Sequence, residues 1–326
     1  MRIRNSIHLY AVLAIAASTT LFAQAKPDVI NLMGGGFSSR VAEQNGIYAK
    51  YNLEVHSSQM PNSESMRADL ASGKIDMAAY AVDNAVAMTL DGADAIIVLG
   101  GDGSQNELVA QPGTSSVQDL KGKTVLVDAP NTAYALQMKK IMMVKGLDPK
   151  EVQMQGGVTT PRRLQALRDN KELAATMLDP SGAMQAAKEG FVVLGTVPKD
   201  IGRYQSTGTF VMRKWAKEHE DVLVRYIAAN IEAQRWLMDP ANKDKVIAML
   251  GGPRQAPEVA AATYDRQMHE LNGWTKDAQF DVEGFKNVLK LRAEVEGSWG
   301  GKPPAAEKFY DKSYFEKALK LVDGKK

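Results

Sequence analysis

The stretch "KTVLVDAPNTAYALQMKK", Lys123 to Lys140, decides how this chain folds. Thr124-Val125-Leu126-Val127 is a short apolar run with β-branched residues that reads as a buried strand, and from Tyr134 to Val144 apolar residues recur at helical spacing. Between them, Asp128-Ala129-Pro130-Asn131-Thr132 holds turn formers and helix-capping side chains. A strand that ends in such a turn and opens a helix exposes backbone N–H groups at its mouth, where they can receive an acceptor.

Working outward, the same rhythm repeats on both sides. Upstream, strands are expected at 28–33, 53–56, 75–80 and 95–99, with helices at 38–50, 63–72 and 83–90 between them. An extended segment, Glu107 to Gln111, leads through Pro112-Gly113-Thr114 into a second series. Its strands fall at 124–127, 152–155, 173–178 and 191–194, and its helices at 132–145, 161–171 and 181–189. A last extended piece, Thr207 to Met212, precedes an almost wholly helical C-terminal region. Alternating apolar runs and amphipathic helices imply α/β architecture with sheets covered on both faces. Two such series joined by two extended segments imply two α/β lobes with a two-segment hinge near Gln111 and Gly208. Residues 26–112 and 208–326 then form lobe 1, with the C-terminal helices, and 113–207 form lobe 2. There is no internal repeat or low-complexity tract.

Met1 to Ala25 is read as a secretory signal peptide: Arg2 and Arg4 start it, Ile7 to Phe22 is mostly apolar, and Ala23-Gln24-Ala25 is a small-x-small cleavage site. Its apolar part, about 16 residues and interrupted by His8, Ser18, Thr19 and Thr20, falls short of a membrane span. A soluble periplasmic protein is the expectation. Without Arg2 and Arg4, Lys and Arg equal the 38 Asp and Glu, so net charge gives no reason to expect nucleic acid or an anionic membrane as partner. The chain has no cysteine, which excludes thiol catalysis, disulfides and cysteine lipidation.

Several motifs together resemble the solute-binding proteins of ABC transporters, in particular the nitrate, alkanesulfonate, taurine and thiamine-precursor binding group. They are "NGIYAKYNLEV" (Asn45 to Val55), "LASGKIDMAAYAVDNAVAM", "VQDLKGKTVLVDAPNTAYALQMKKIMMVKGLDPKEVQ", "TTPRRLQALRDNKELAATMLDPSGAMQAAKEGFVVL" and "RWLMDPANKDKV", in that order. The match covers roughly Lys26 to Leu250 and departs from the family pattern at "NKELAATML". The resemblance implies a type II periplasmic binding protein, a monomer that closes its lobes over a small-molecule solute and docks on ABC permease subunits. It implies no chemistry on the solute and no cofactor.

In open α/β sheets ligands bind beyond the carboxyl ends of the strands, so facing strand-to-helix turns should line one cleft. "GGGFSSR" offers close backbone approach at its glycines, with Phe37, Ser38, Ser39 and Arg40 as candidate contacts. Ser38 or Ser39 could equally be a helix cap, and Arg40 could point to solvent. "YAVDNAV" offers Tyr80, Asp83 and Asn84, with Asp83 also a natural cap. The opening stretch offers Asp128, Asn131 and Thr132, and "LDPSGAM" offers Asp179, which before Pro180 is fully explained as a cap. Met60 after the second strand, and Tyr204 and Thr207 beside the hinge, complete the set. Three of these turns carry an Asp and one an Arg. An amine-bearing or nitrogen-heteroaromatic solute therefore stands beside a sulfonate or carboxylate anion as the expected ligand.

Rival functions are a secreted enzyme and a sensory protein that presents itself to a receptor. His56, His219 and His269 lie in no metal-ligand spacing, and no Gly-x-Ser-x-Gly, Walker or Gly-x-Gly-x-x-Gly pattern occurs. "GDGSQNE", Gly101 to Glu107, is too short for a calcium loop. No metal site is expected.

Overall fold

A computed structural model describes residues 26–251 and 256–324; the expected signal peptide lies outside the described residues. Among the described residues, ten strands fall into two five-stranded sheets. In chain order they are β1 (Asp28–Gly34), β2 (Leu53–Ser58), β3 (Met77–Ala81), β4 (Ala95–Gly100), β5 (Glu107–Ala110), β6 (Thr124–Leu126), β7 (Gln153–Gln155), β8 (Leu173–Leu178), β9 (Val192–Thr196) and β10 (Thr207–Met212). Fourteen α-helices lie among the described residues. They are α1 (Phe37–Gln44), α2 (Ile47–Lys50), α3 (Ser63–Ala71), α4 (Asp83–Leu90), α5 (Ala133–Val144), α6 (Thr160–Asp169), α7 (Pro180–Lys188), α8 (Val197–Asp200), α9 (Arg213–Glu218), α10 (Glu220–Met238), α11 (Lys243–Gly251), α12 (Pro257–His269), α13 (Val282–Glu296) and α14 (Ser313–Asp323). None of the described helices is long and apolar enough to cross a membrane.

The first sheet runs β2-β1-β3-β10-β4 and the second β7-β6-β8-β5-β9. Each is mixed, not wholly parallel. Four strands of each run in one direction, and one lies antiparallel between two of them because it arrives from the other lobe: β10 pairs with β3 and β4, and β5 with β8 and β9. The chain therefore crosses at 101–106 and returns at 197–206. The sequence reading set the first boundary at 112, but Glu107–Ala110 is already buried inside the second sheet. The two crossing segments pair with each other through a bridge between Gly103 and Gln205 and a 3.0 Å bond from Thr207 N–H to Asp102 O. Gly103 is required here. A Cβ on it would stand 2.6 Å from Asn272 and 2.7 Å from the Tyr204 carbonyl.

The helix expected at 38–50 is broken by Gly46, whose φ of 67° ends α1 and lets α2 start in a new direction. β4 is buried along its whole length although it is an edge strand. The segment around Tyr310 covers it, with Ile97 N–H donating to Phe309 O and Asp311 N–H to Ile97 O, which removes an exposed edge.

Each sheet has a core on both faces. One cluster packs β1, β4 and β10 against α1, α2, α10 and α14, and another covers the outer face of the second sheet. The third is continuous between the lobes: Met33, Ala78 and Phe210 from the first sheet, Leu108, Val125 and Met177 from the second, and Phe285, Val288 and Leu289 of α13 join in one apolar cluster. The C-terminal region thus closes the molecule behind the hinge. Asn272 fastens it there, donating to Ser104 O and Gly202 O at 2.9 and 2.8 Å and accepting from Tyr204 N–H at 2.9 Å.

Candidate functional site

The strand-to-helix turns of the two sheets face each other across a cavity of about 490 Å³ in front of the crossing segments. Of the residues singled out in the sequence, Phe37, Ser38, Ser39, Met60, Tyr80, Asp83, Asn84, Asp128, Thr132 and Thr207 line it together.

The lobe 1 wall is built from the ends of β1 and β3. Gly34, at φ 90°, is needed because a Cβ there would fall 2.5 Å from both the Ala79 carbonyl and the Tyr80 ring. Tyr80 leans over it, its hydroxyl accepting from Met60 N–H at 2.9 Å, and burial pushes that hydroxyl above its usual pKa. Helix α1 opens on the cleft with Gly36 at its N-cap. No side chain caps it, and the first-turn N–H groups of Phe37, Ser38 and Ser39 donate to no group among the described residues. Phe37 is backed by Trp274, stacked at 5.6 Å between centroids. Ser39 is buried and donates to Asn230 Oδ1 at 3.0 Å.

Asp83 occupies the first position of α4, after Val82, and does not cap the helix. Its carboxylate is held bidentately by Arg292 of α13 at 2.9 and 2.6 Å, both side chains being less than a tenth exposed. Burial lowers the Arg292 pKa, but Asp83 more than offsets this and holds the guanidinium above its ordinary value. Arg292 also donates to the Asn131 carbonyl of lobe 2 at 3.2 Å. Asn84 Oδ1 accepts from Arg67 Nη1 at 3.0 Å. Arg67 lines the cavity and makes no ion pair with a carboxylate among the described residues.

On the lobe 2 wall, Asp128 accepts from the Thr132 hydroxyl at 2.6 Å and lies 3.3 Å from Arg163 Nη2. Arg163 is 1% exposed. It donates to Val158 O and Met177 O, both at 3.0 Å, and its guanidinium lies 4.4 Å from the Tyr134 ring centroid. Burial lowers its pKa and Asp128 opposes the shift. Thr132 is the N-cap of α5, yet its hydroxyl turns back to Asp128 and Ala129 O instead of capping. The cleft floor is Asp102 and Thr207, hydrogen-bonded carboxylate to hydroxyl. Burial pushes the Asp102 carboxyl above the usual carboxylate range, the Thr207 hydroxyl opposing. Asp102 has no cationic partner among the described residues.

Four of the expected contacts lie elsewhere. Arg40 packs over the Phe37 ring at 4.7 Å and donates to Met249 O, so it is spent outside the cavity. Asn131 is exposed, and the polar contact it makes is through its carbonyl to Arg292. Asp179 caps α7 through Gly182 N–H at 2.9 Å and faces a second, smaller cavity. Tyr204 is 1% exposed and packs in the core beside Gln137. Sequence reasoning missed Arg67, Asp102, Arg163 and Arg292. The one signal within reach was the glycine spacing around Asp102 in "GGDGSQNE", since glycines that close together mark chains in contact.

The model of the family described as NMT1/THI5 like matches residues 39–242, more than half of the chain. The chain belongs to that family. No curated protein matches it. Among solved structures, members of similar fold include a protein from Bordetella bronchiseptica, 17% identical over 91% of this chain and 99% of that one, with a TM-score of 0.77. The periplasmic nitrate-binding protein of Synechocystis is 14% identical over 91% and 90%, with a TM-score of 0.72. The periplasmic aliphatic sulphonate-binding protein of Escherichia coli is 16% identical over 87% and 92%, with a TM-score of 0.67. Family and fold together give this chain the type II periplasmic binding protein fold, two α/β lobes with a helical C-terminal region, as the motifs implied.

Proposed function

We propose that the protein acts in the periplasm, as a monomer freed of Met1 to Ala25, capturing a small organic solute between its lobes and delivering it unchanged to an ABC importer of the inner membrane. The observation that carries this is the shared cavity: neither lobe encloses it alone, so a solute gains contacts to both walls only when they are close together. The nitrate- and sulphonate-binding proteins of similar fold support the same role.

The charges at the cavity favour a solute with an acidic group. Asp83 and Asp128, which in the sequence argued for an amine, face Arg292 and Arg163. Beside Asp102, which is tied to the Thr207 hydroxyl on the floor, what remains toward the cleft is Arg67, whose guanidinium offers forked donors next to the open N–H groups of α1. Small-angle scattering with and without carboxylates and sulfonates tests the reading: a bound solute contracts the particle and raises Tm, by about 2.7 kcal/mol of stability at one hundred times Kd. An unchanged profile and Tm across such a panel, or turnover of any member, would overturn it.

A further inference from the structure

The two crossing segments are clasped together on the cleft floor, and a titratable group forms part of the clasp. Asp102 N–H donates to the Thr207 hydroxyl oxygen at 3.1 Å, and that hydroxyl turns its one proton onto the Asp102 carboxylate. The Asp102 carbonyl accepts in return from Ser206 N–H and Thr207 N–H at 3.2 and 3.0 Å. Gly101 leaves room for this, since a side chain there would collide with the Thr207 hydroxyl. Asp102 lines both the main cavity and the smaller one beside it, so it shares the cleft with whatever solute is captured. We propose that capture of an acidic solute takes up one proton from the medium at Asp102, which makes affinity rise as pH falls. The inference rests on the acidic-solute reading of the cleft and adds the control of that site.

The argument is one of charge balance. Asp83, at the start of α4, is met by Arg292 of α13, and Asp128, before α5, is met by Arg163 of α6. Asp179 receives Gly182 N–H at 2.9 Å at the positive end of α7. Arg266 of α12 is turned onto Glu107 and Glu270 at 2.6 and 3.3 Å, and Arg203 of the second crossing segment onto Asp281 at 2.6 Å. Tyr80 and Tyr134 present neutral phenols to the cleft. What is left is Arg67 of α3 and Asp102, one positive and one negative charge, neither ion-paired among the described residues.

These two balance each other until an acidic solute meets Arg67, which leaves one negative charge over. Asp102 is where that excess is relieved, because the Thr207 hydroxyl is the one donor another described residue gives its carboxylate. A desolvated carboxylate without a cation is neutralised more readily than it is held charged, and a second negative charge nearby adds to the effect. Burial already pushes this carboxyl above the usual range. Protonation also reverses its hydrogen bonding. The ionised group only accepts, as the oxygens of an acidic solute do, whereas the acid form can donate its O–H to them.

Two measurements test this, and the first needs no solute. Thermal unfolding of the parent and of Asp102→Asn is followed between about pH 4 and pH 8, above the ordinary carboxylate value. The folded state binds this proton more tightly than the unfolded chain does, so the parent loses stability as pH rises through the folded-state titration and Asp102→Asn does not. The Tm difference should therefore widen with pH in favour of Asp102→Asn. Thr207→Val removes the donor that opposes the shift, so its loss of stability should extend to higher pH, which reads the same group even where Asp102→Asn does not fold. A Tm difference that is constant with pH, or a Thr207→Val profile parallel to that of the parent, would overturn the proposal.

The second is calorimetric titration in two buffers of different ionisation enthalpy. Methanesulfonate and benzenesulfonate serve across the whole range, with propionate and benzoate above about pH 6, where the solutes themselves stay ionised. Above the Asp102 titration, uptake should approach one proton per solute, and Kd should rise by up to about tenfold per pH unit. Asp102→Asn should take up none, and at neutral pH it should bind at least about tenfold more tightly than the parent, the equivalent of one pKa unit. Binding without proton uptake, at a Kd independent of pH, would overturn the proposal and leave acid capture standing. If none of the four binds at any pH, the acidic-solute reading falls, and proton uptake falls with it.

Discussion

Each wall of the cleft has an aspartate tied to an arginine, and the two pairs are built differently. On lobe 2, Asp128 meets Arg163 at 3.3 Å through one nitrogen, while the rest of that guanidinium is occupied by two carbonyls of its own lobe. On lobe 1, Asp83 is gripped through both oxygens by Arg292, which comes from 209 positions further along the chain and also reaches the Asn131 carbonyl across the cleft. The first is a local arrangement that shapes one wall. The second joins three parts of the molecule, and it shows that α13 fastens the two lobes to each other as well as covering the hinge.

The largest effect that can break this comparison is therefore Arg292→Ala. It leaves Asp83 less than a tenth exposed and without its counter-charge, and breaking such a pair costs about 3–5 kcal/mol. Arg163→Ala leaves Asp128 with its bond from Thr132 but strips Val158 O and Met177 O, for a cost of about 1–3 kcal/mol. Urea unfolding of both variants decides the matter. Equal losses, or a larger loss at Arg163, would mean that the lobe 1 pair does not have the wider role assigned to it.

Arg67 sharpens the comparison from the other direction, because it belongs to neither pair. Among the described residues its polar side-chain contact is with the Asn84 amide, so its removal leaves no buried charge behind. Arg67→Ala is expected to change urea stability by less than about 0.5 kcal/mol, as an ordinary partly exposed substitution does. It should nevertheless weaken binding of an acidic solute about tenfold or more, the loss of one charge-assisted contact. A variant with unchanged affinity would move the acidic end of the solute elsewhere in the cavity.

These pairs also mark how far the sequence can be read. Strand and helix order was legible because periodicity is local: β8 and β10 fall where their apolar runs begin and end, and "KTVLVDAPNTAYAL" forms the strand, turn and helix it spells. What could not be read was which sheet an extended segment joins. Glu107–Ala110 looks the same whether it ends one lobe or enters the other, since pairing with β8 and β9 depends on residues far along the chain. The same limit applies to the site. Asp83 and Asp128 were visible as acidic residues at strand ends, but the cations that face them were not. An arginine on a helix shows no partner in its own neighbourhood, and Arg292 finds Asp83 only once α13 has packed. Arg40 failed for the converse reason. Its place in the first turn of α1 was read correctly, but the turn carries it around the helix onto Phe37 and Met249 O, away from the cavity.

The smallest expected effect tests whether α13 grips lobe 2 through charge or through packing. Lys139 and Lys140 of α5 each reach a glutamate of α13, Glu296 and Glu294, at 2.6 Å, and all four side chains are between 17% and 32% exposed. Ion pairs with that much water access contribute about 0.2–1 kcal/mol each and weaken as salt is added. Beneath them, Phe285, Val288 and Leu289 lie in the continuous apolar cluster, and burying one such side chain is worth about 1.5–3 kcal/mol. The double variant Lys139→Ala, Lys140→Ala should thus lose at most about 2 kcal/mol at low ionic strength and approach the parent as salt is raised. A loss well above that and insensitive to salt would mean that these lysines, and not the apolar seam, hold the lobes together. The contrast between a clamped lobe 1 aspartate and a local lobe 2 pair would then have to be redrawn around α5.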